Sequence, residues 1–180
     1  VHEVLQTVDS AIAEGTRGTL SVDILVVDDN SPDGTANVVN GLRSKFGERV
    51  QLLSRPGKQG LGKAYLAGFA WGIKREYDVL IEMDADFSHR PVDLVKLMDA
   101  LIAGPDFAVG SRYVAGGGTQ NWGWMRKLIS RGGSLYSRTI LGHPLGDWTG
   151  GFNAWKTKVL VGIGLERVKS EGYSFQIELK

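Results

Sequence analysis

Apolar residues recur at helical spacing from the start of the chain, at Val4, Leu5, Val8, Ala11 and Ile12, and a strongly apolar run from Val22 to Val27 follows. That run stops at Asp28-Asp29-Asn30-Ser31-Pro32-Asp33-Gly34-Thr35, which reads as a turn after a buried strand. Ser31 as N-cap, Pro32 at the first helical position and Asp33 in the first turn predict a helix with Val38, Val39, Leu42 and Phe46 as its stripe. A strand is predicted over Val50 to Leu53, a helix over Gly60 to Lys74 and a strand over Asp78 to Met83. A helix over Pro91 to Ala103, closed by Gly104, and a strand over Phe107 to Gly110 complete the alternating part.

Strands alternating with helices predict an α/β fold: an open, mostly parallel sheet with helices on both faces and ligands bound beyond the carboxyl ends of the strands. Both acidic clusters, Asp28-Asp29 and Asp84-Asp86, fall at such ends. Beyond Ser111 the rhythm changes. A loop with Gly116, Gly117, Gly118, Trp122 and Trp124 leads into a basic helix over Met125 to Ile140, and Asp147 to Asn153 is turn-like. Ala154 to Gly164 is ambiguous between strand and helix. The chain opens on a helix where a doubly wound domain normally opens on a strand. One domain over residues 1–180 is therefore expected, with its first strand and a C-terminal segment lying outside them.

Length and composition narrow the classes. At 180 residues, 42% hydrophobic and 23% charged, the chain matches an ordinary globular domain and neither a disordered nor a fibrous one. With no cysteine, any metal must be held by oxygen or imidazole ligands. No apolar run approaches the ~18 residues of a spanning helix, and Glu3 and Asp9 stand where a signal peptide is basic. The net charge of +1 hides an asymmetry: Phe107 to Gly146 has no Asp or Glu but carries Arg112, Arg126, Lys127, Arg131 and Arg138. Nucleic-acid binding would call for a broader basic surface and a higher net charge.

Asp84 and Asp86 are alternate residues after an apolar strand, so extended backbone points both carboxylates one way. Such a pair suits Mg2+ or Mn2+, whose shell is completed by substrate phosphates and water. The plainer alternative is that both cap the turn before Pro91; Ser88 and His89 can add a ligand or bind phosphate. Asp28 and Asp29 can accept hydrogen bonds from a nucleobase or ribose, or can simply cap a turn. Gly57 to Lys63 fits Gly-x-x-x-x-Gly-Lys, but Ala64 replaces the Ser or Thr that a P-loop needs for its metal. A Gly-rich helix entry near a diphosphate, centred on Gly60, is the competing reading. Arg126 and Ser130 share a helical face, and Arg112 arrives from a strand end, so three donors can converge on one anion. Trp122 and Trp124 beside arginines suit a membrane surface, or else plug the core beside a solvated basic helix.

These segments resemble family 2 glycosyltransferases, most specifically the dolichol-phosphate or polyprenol-phosphate mannosyltransferases. The resemblance runs from about Val22 to Lys180. It is carried by Val26 to Thr35, Gly60-Leu61-Gly62, Met83 to His89, Gly110 to Tyr113, Asn121-Trp122, Arg126 to Ser130 and Gly172 to Gln176. It implies a GT-A-like (Rossmann-like) fold and an enzyme moving mannose from GDP-mannose to a polyprenyl (dolichyl-type) monophosphate with inversion, assisted by Mg2+ or Mn2+. Asp28 and Asp29 would face the guanosine, with Gly60, Asp84 and Asp86 also on the nucleotide-sugar. Asp84 and Asp86 would bind the metal, and Arg112, Arg126 and Ser130 the lipid phosphate. Asp86 and Arg112 would be the catalytic pair. The family often has Gln where this chain has Ser88, and its leading Pro-Thr-Tyr-Asn-Glu segment is absent from residues 1–180. The resemblance implies a peripheral protein on the cytoplasmic face of a membrane and leaves room for a separate anchoring subunit or domain. The competing functions are another hexosyltransferase, such as a glucosyltransferase, a P-loop-type ATPase, and a non-catalytic membrane-surface module.

Overall fold

The computed structural model describes residues 1–13, 20–86, 88–118 and 123–180, apart from the side chains of His2, Ala11, Ile12, Ala13, Arg126, Lys127 and Tyr173. It divides into two compact units, Val1–Tyr77 and Asp78–Lys180.

The first unit runs α1 (His2–Ala13), β1 (Ile24–Asp28), α2 (Thr35–Phe46), β2 (Val50–Ser54) and α3 (Leu61–Lys74). β1 and β2 pair in parallel, Ile24 opposite Val50 and Asp28 opposite Ser54. Side chains alternate across β1. Ile24 and Val26 join Leu5, Val39, Leu42, Phe46 and Val50 in one core, whereas Leu25 and Val27 point to α3, where Gly68 lets the helix approach. A Cβ on Gly68 would lie 3.4 Å from Val27. Helices therefore cover both faces of this pair, as the alternation predicts.

The entry to α2 departs from expectation. The helix starts at Thr35 behind Gly34, whose φ is 82°, and Ser31 is not its cap. Asp28 takes the Ser31 N–H, at 3.3 and 3.4 Å, and Asp33 takes the backbone and hydroxyl protons of Thr35 at 3.0 and 2.6 Å. The acidic side chains thus build two successive turns that postpone the helix. Val38, expected in the stripe of this helix, lies outside the core, 64% exposed.

The second unit runs β3 (Val79–Glu82), α4 (Val92–Ile102), β4 (Phe107–Val109), α5 (Trp124–Leu141), β5 (Asn153–Lys156), α6 (Thr157–Ile163) and α7 (Tyr173–Leu179). Its sheet order is β3-β5-β4, with β5 antiparallel to both neighbours. The ambiguous stretch from Ala154 is thus the end of the central strand followed by a helix, and because that strand runs against both neighbours this sheet is antiparallel in every pairing, where a mostly parallel one was expected. Asn153, Ala154 and Trp155 are all buried, and Trp155 stacks on Phe107 across the β4–β5 pair, centroids 5.1 Å apart. α4 turns Leu94, Leu97, Met98 and Leu101 into the core at i, i+3, i+4, i+7. Among the described residues, no helix is long and apolar enough to cross a membrane.

Candidate active site

Strand direction explains where the polar residues of the second unit meet. β3 and β4 both oppose β5, so they run the same way, and their carboxyl ends lie at the edge where β5 begins. Asn153 is opposite Glu82 on one side and Val109 on the other. The Asp84-Asp86 turn, Arg112 and the Asp147–Phe152 loop all leave the sheet at that edge.

Asp84 is half-buried and Asp86 exposed. The Asp84 amide donates to Nδ1 of His89 at 3.0 Å, and the Ser88 amide donates to Asp86 Oδ1 at 3.0 Å. The His89 ring stacks on Phe152, 4.8 Å between centroids. Burial pushes the His89 pKa down; Asp84 and Asp86 oppose this, and the Arg112 charge adds to it. One imidazole therefore senses both carboxylates and the guanidinium, which puts the acidic turn and Arg112 in one electrostatic neighbourhood. Hydrogen bonds from Ser88 hold the Asp86 carboxyl below its ordinary value, so Asp86 is ionised at neutral pH.

Among the described residues, no group of three or more His, Asp or Glu side chains could hold a metal ion alone. Two carboxylates at a strand end do fit a hard divalent cation that keeps most of its shell for phosphate and water. Ser88 and His89 are tied to these carboxylate residues: Ser88 bonds Asp86, and Nδ1 of His89 is taken by the Asp84 amide. Gly151 flanks the turn: a Cβ there would lie 3.5 Å from Asp84 Oδ2 and 3.6 Å from Gln176 Nε2.

Arg112 reaches this edge already paired. Its Nε and Nη2 fork onto Asp147 at 2.7 and 2.5 Å, its amide donates to the same carboxylate at 3.0 Å, and Nη2 also donates to Thr149 Oγ1 at 2.7 Å. Burial alone would raise the Asp147 pKa, but the Arg112 hydrogen bonds and charge outweigh it and hold the carboxyl below its ordinary value. Asp147 in turn is held by its loop. Gly150 donates to Oδ1 at 3.1 Å, and the Lys180 ammonium donates to the carbonyls of Asp147, Trp148 and Gly150 at 3.3, 3.3 and 2.8 Å. Burial pushes the Lys180 pKa down to about 8, against the pull of Asp147 and Glu82.

Behind the turn lies a buried amide network. Asn153 Nδ2 donates to Glu82 Oε1 at 2.5 Å and Gln176 Nε2 to Glu82 Oε2 at 3.0 Å. Burial pushes the Glu82 carboxyl up to about 7, with these amides opposing the shift. Asp147, Asn153, Glu82 and Lys180 are the site residues that sequence reasoning missed. Asp147 left one usable signal: it is the first acid after an acid-free stretch carrying five basic residues.

Ser130 is brought to Arg112 through Tyr113, whose hydroxyl donates to Ser130 Oγ at 2.7 Å while its ring lies 5.7 Å from the Arg112 guanidinium. Arg126 lies one turn before Ser130 on α5; its side chain, like Trp122, lies outside the described residues. Trp124 is 73% exposed, so it does not plug the core. In the first unit, Asp28 is buried and closes its own turn, while Asp29 forms an ion pair with Arg55 at 2.9 Å. Gly60 opens α3 with φ 97°, a conformation that suits glycine.

The family described as Glycosyl transferase family 2 matches residues 1–163. The chain belongs to this family. As a family 2 glycosyl transferase it is 51% identical over 158 residues to polyprenol monophosphomannose synthase of Mycolicibacterium smegmatis, covering 88% of this chain and 60% of that protein. It is 48% identical over 157 residues to undecaprenyl-phosphate mannosyltransferase of Micrococcus luteus, covering 87% and 64%. It is 36% identical over 180 residues to dolichol-phosphate mannosyltransferase of Pyrococcus furiosus, covering 99% and 49%. The chain therefore spans about half to two thirds of these relatives. Its fold resembles glucosyl-3-phosphoglycerate synthase from Mycobacterium tuberculosis in complex with Mn2+, uridine diphosphate and glucosyl-3-phosphoglycerate. The TM-score is 0.62 at 18% identity, covering 98% of this glycosyl transferase and 58% of that chain. A likeness at that identity concerns the fold alone, and it agrees with the α/β, GT-A-like expectation. Family membership sets the P-loop ATPase aside.

Proposed function

We propose that this glycosyl transferase moves mannose from GDP-mannose to the phosphate of a polyprenyl monophosphate, with inversion at the anomeric carbon. The observation that carries this reading is the buried Asp147–Arg112 fork beside Tyr113 and Ser130, at the same sheet edge as Asp84 and Asp86. The printed names of the relatives, all synthases or transferases of mannose on polyprenyl-type phosphates, support the substrate class.

In this reading a phosphate oxygen attacks C1 of mannose, the bond from C1 to the GDP oxygen breaks, and GDP leaves with the bonding pair. A phosphomonoester whose second pKa is near 6 is already mostly dianionic at pH 7, so no side chain need remove a proton. His89 agrees with this. Its Nδ1 is occupied as an acceptor and burial favours its neutral form, which suits positioning of the Asp84 backbone rather than base catalysis. Arg112, already aligned by Asp147, presents its guanidinium to the incoming phosphate without reorganising, and Ser130 with Arg126 completes the acceptor side. Asp84 and Asp86 hold Mg2+ or Mn2+, which when bound neutralises the diphosphate of the leaving group. Asp28, Asp29 and Gly60 receive the nucleoside and diphosphate parts of the donor.

Membrane association belongs to the same reading. α5 carries Trp124, Met125, Leu128, Ile129, Leu135, Tyr136 and Ile140, each at least 58% exposed, so the protein acts as a peripheral enzyme where its lipid acceptor resides, on the cytoplasmic face and with an anchoring partner or domain. The deciding experiment is a donor screen with the intact protein, one polyprenyl phosphate and either Mg2+ or Mn2+. Lipid-linked mannose from GDP-mannose, lost in Asp86→Ala and on chelation, is the expected result; preferential transfer of glucose, or of no sugar, overturns it.

A further inference from the structure

Beside Tyr113 lies a second basic feature. A cavity of about 320 Å³ is lined by Tyr113, Arg131, Ser134, Leu135, Arg138 and Leu145. Arg131 and Arg138 stand two turns apart on α5, and the Arg131 guanidinium lies 5.6 Å from the Tyr113 ring. Among the described residues, no carboxylate pairs with either arginine, in keeping with the absence of Asp and Glu from residues 107–146. Arg112 is different: Asp147 already neutralises it. The cavity wall is not wholly polar. Leu145 is half-buried, and Leu135, 64% exposed, belongs both to the cavity and to the apolar face of α5.

α5 is amphipathic in an inverted sense. Ser134 and Ser137 are its buried residues, each 4% exposed, and its large apolar side chains face outwards. A ligand that satisfies this arrangement has an anionic group for two guanidinium forks and hydrocarbon for Leu135 and its neighbours. We propose that the Arg131–Arg138 cavity is a binding site for the phosphodiester of an anionic membrane phospholipid, separate from the acceptor phosphate at Arg112 and Ser130. The acceptor's phosphate is assigned to Arg112 and Ser130, neither of which lines the cavity, so both phosphates can be held at once. A cavity of this size admits a headgroup and the first methylenes of its chains. The inference rests on the proposed function only in placing the acceptor at Arg112.

The test uses the intact protein and monomeric dihexanoyl phosphatidylglycerol, with dihexanoyl phosphatidylcholine and inorganic phosphate as comparison probes, followed by calorimetry and by arginine Nε resonances. Phosphatidylglycerol should bind saturably, at least tenfold tighter than phosphatidylcholine. Arg131→Gln/Arg138→Gln should weaken it about 30-fold, the effect of two arginines facing an anionic lipid. Arg43→Gln/Lys45→Gln, which removes the same charge from α2, should stay within twofold, and Leu135→Ser should weaken phosphatidylglycerol without changing inorganic phosphate. Equal binding in the Arg131/Arg138 variant overturns the site, as does a parallel loss for both lipids, or displacement of the lipid by equimolar inorganic phosphate. Transfer to a short, water-soluble polyprenyl phosphate should be unchanged in that variant. A fall there would assign the arginines to the acceptor and overturn the proposal. Because lipid binding is read without turnover, an enzyme inactive with every donor would fail the proposed function while leaving this result intact.

Discussion

Asp147 turns an ordinary strand-end arginine into a fixed instrument. Without a partner the Arg112 side chain has roughly 2 kcal/mol of rotamer freedom to lose on binding an anion, and the fork onto a buried carboxylate removes that freedom in advance. Asp147→Asn keeps the shape but not the charge. It should lower stability by about 2–3 kcal/mol, since a half-buried guanidinium loses its counter-charge, and should raise the acceptor KM with little change in the donor KM. Equal effects on both KM values, measured by steady-state transfer, would place Arg112 outside the acceptor site. Asp84, Asp86 and Ser130 were legible in the sequence as candidates because their pattern is local: a carboxylate pair spaced by one residue, or, for Ser130 with Arg126, donors one helical turn apart. Asp147 and Lys180 were not, since the first acts on a residue 35 positions away and the second on carbonyls 30 to 33 positions away. Asp28 shows a second thing the sequence does not separate, for the same carboxylate that the donor reading uses also accepts the Ser31 N–H and so closes its own turn.

At the level of elements, the strand–helix alternation carried the architecture through β4 and failed at β5. Asn153 to Lys156 is only four residues long, is buried on both faces and runs straight into α6, so no period of two marks it and no turn closes its far end. Its insertion between β3 and β4 depends on Gly110, which sits against Phe152: a Cβ there would meet the Phe152 ring at 2.6 Å and its carbonyl oxygen at 2.9 Å. Backbone oxygen cannot rotate away as a side chain can. Gly110→Ala should therefore cost about 2–3 kcal/mol in denaturant unfolding, displace Phe152 and loosen the His89 ring stacked on it. A variant as stable as the parent would mean that the strand end yields more easily than this packing allows. On α5 the outward apolar face makes the opposite prediction. Ile129→Gln/Ile140→Gln alters side chains 69% and 66% exposed, so the unfolding midpoint should move little while partition onto lipid vesicles falls severalfold.

For the whole molecule, buried ionisable groups behind the site write a pH profile into its stability. Glu82 has its folded pKa raised by burial to about 7, from 4.5, so the folded state holds this proton more tightly. Its contribution is complete below about pH 4.5 and is lost as pH rises through about 7, at most about 3 kcal/mol for such a shift. Lys180 behaves oppositely: with its folded pKa lowered to about 8, its contribution is present above 10.5 and is lost as pH falls through about 8. Between these windows both penalties stand, so stability should pass through a trough near pH 7–8 and recover on either side. His89, also depressed by burial, adds an opposing slope below its ordinary 6.5, which makes the difference between variants the clean measurement. In thermal unfolding without added divalent cation, Glu82→Gln should remove the fall between pH 5 and 7.5 and keep the rise above 8. Lys180→Met, though less stable throughout for want of its three carbonyl contacts, should do the reverse. A wild-type profile identical in slope to that of Glu82→Gln across pH 5–7.5 would show that water reaches this carboxylate, and that the amide network behind the Asp84 turn is open rather than sealed.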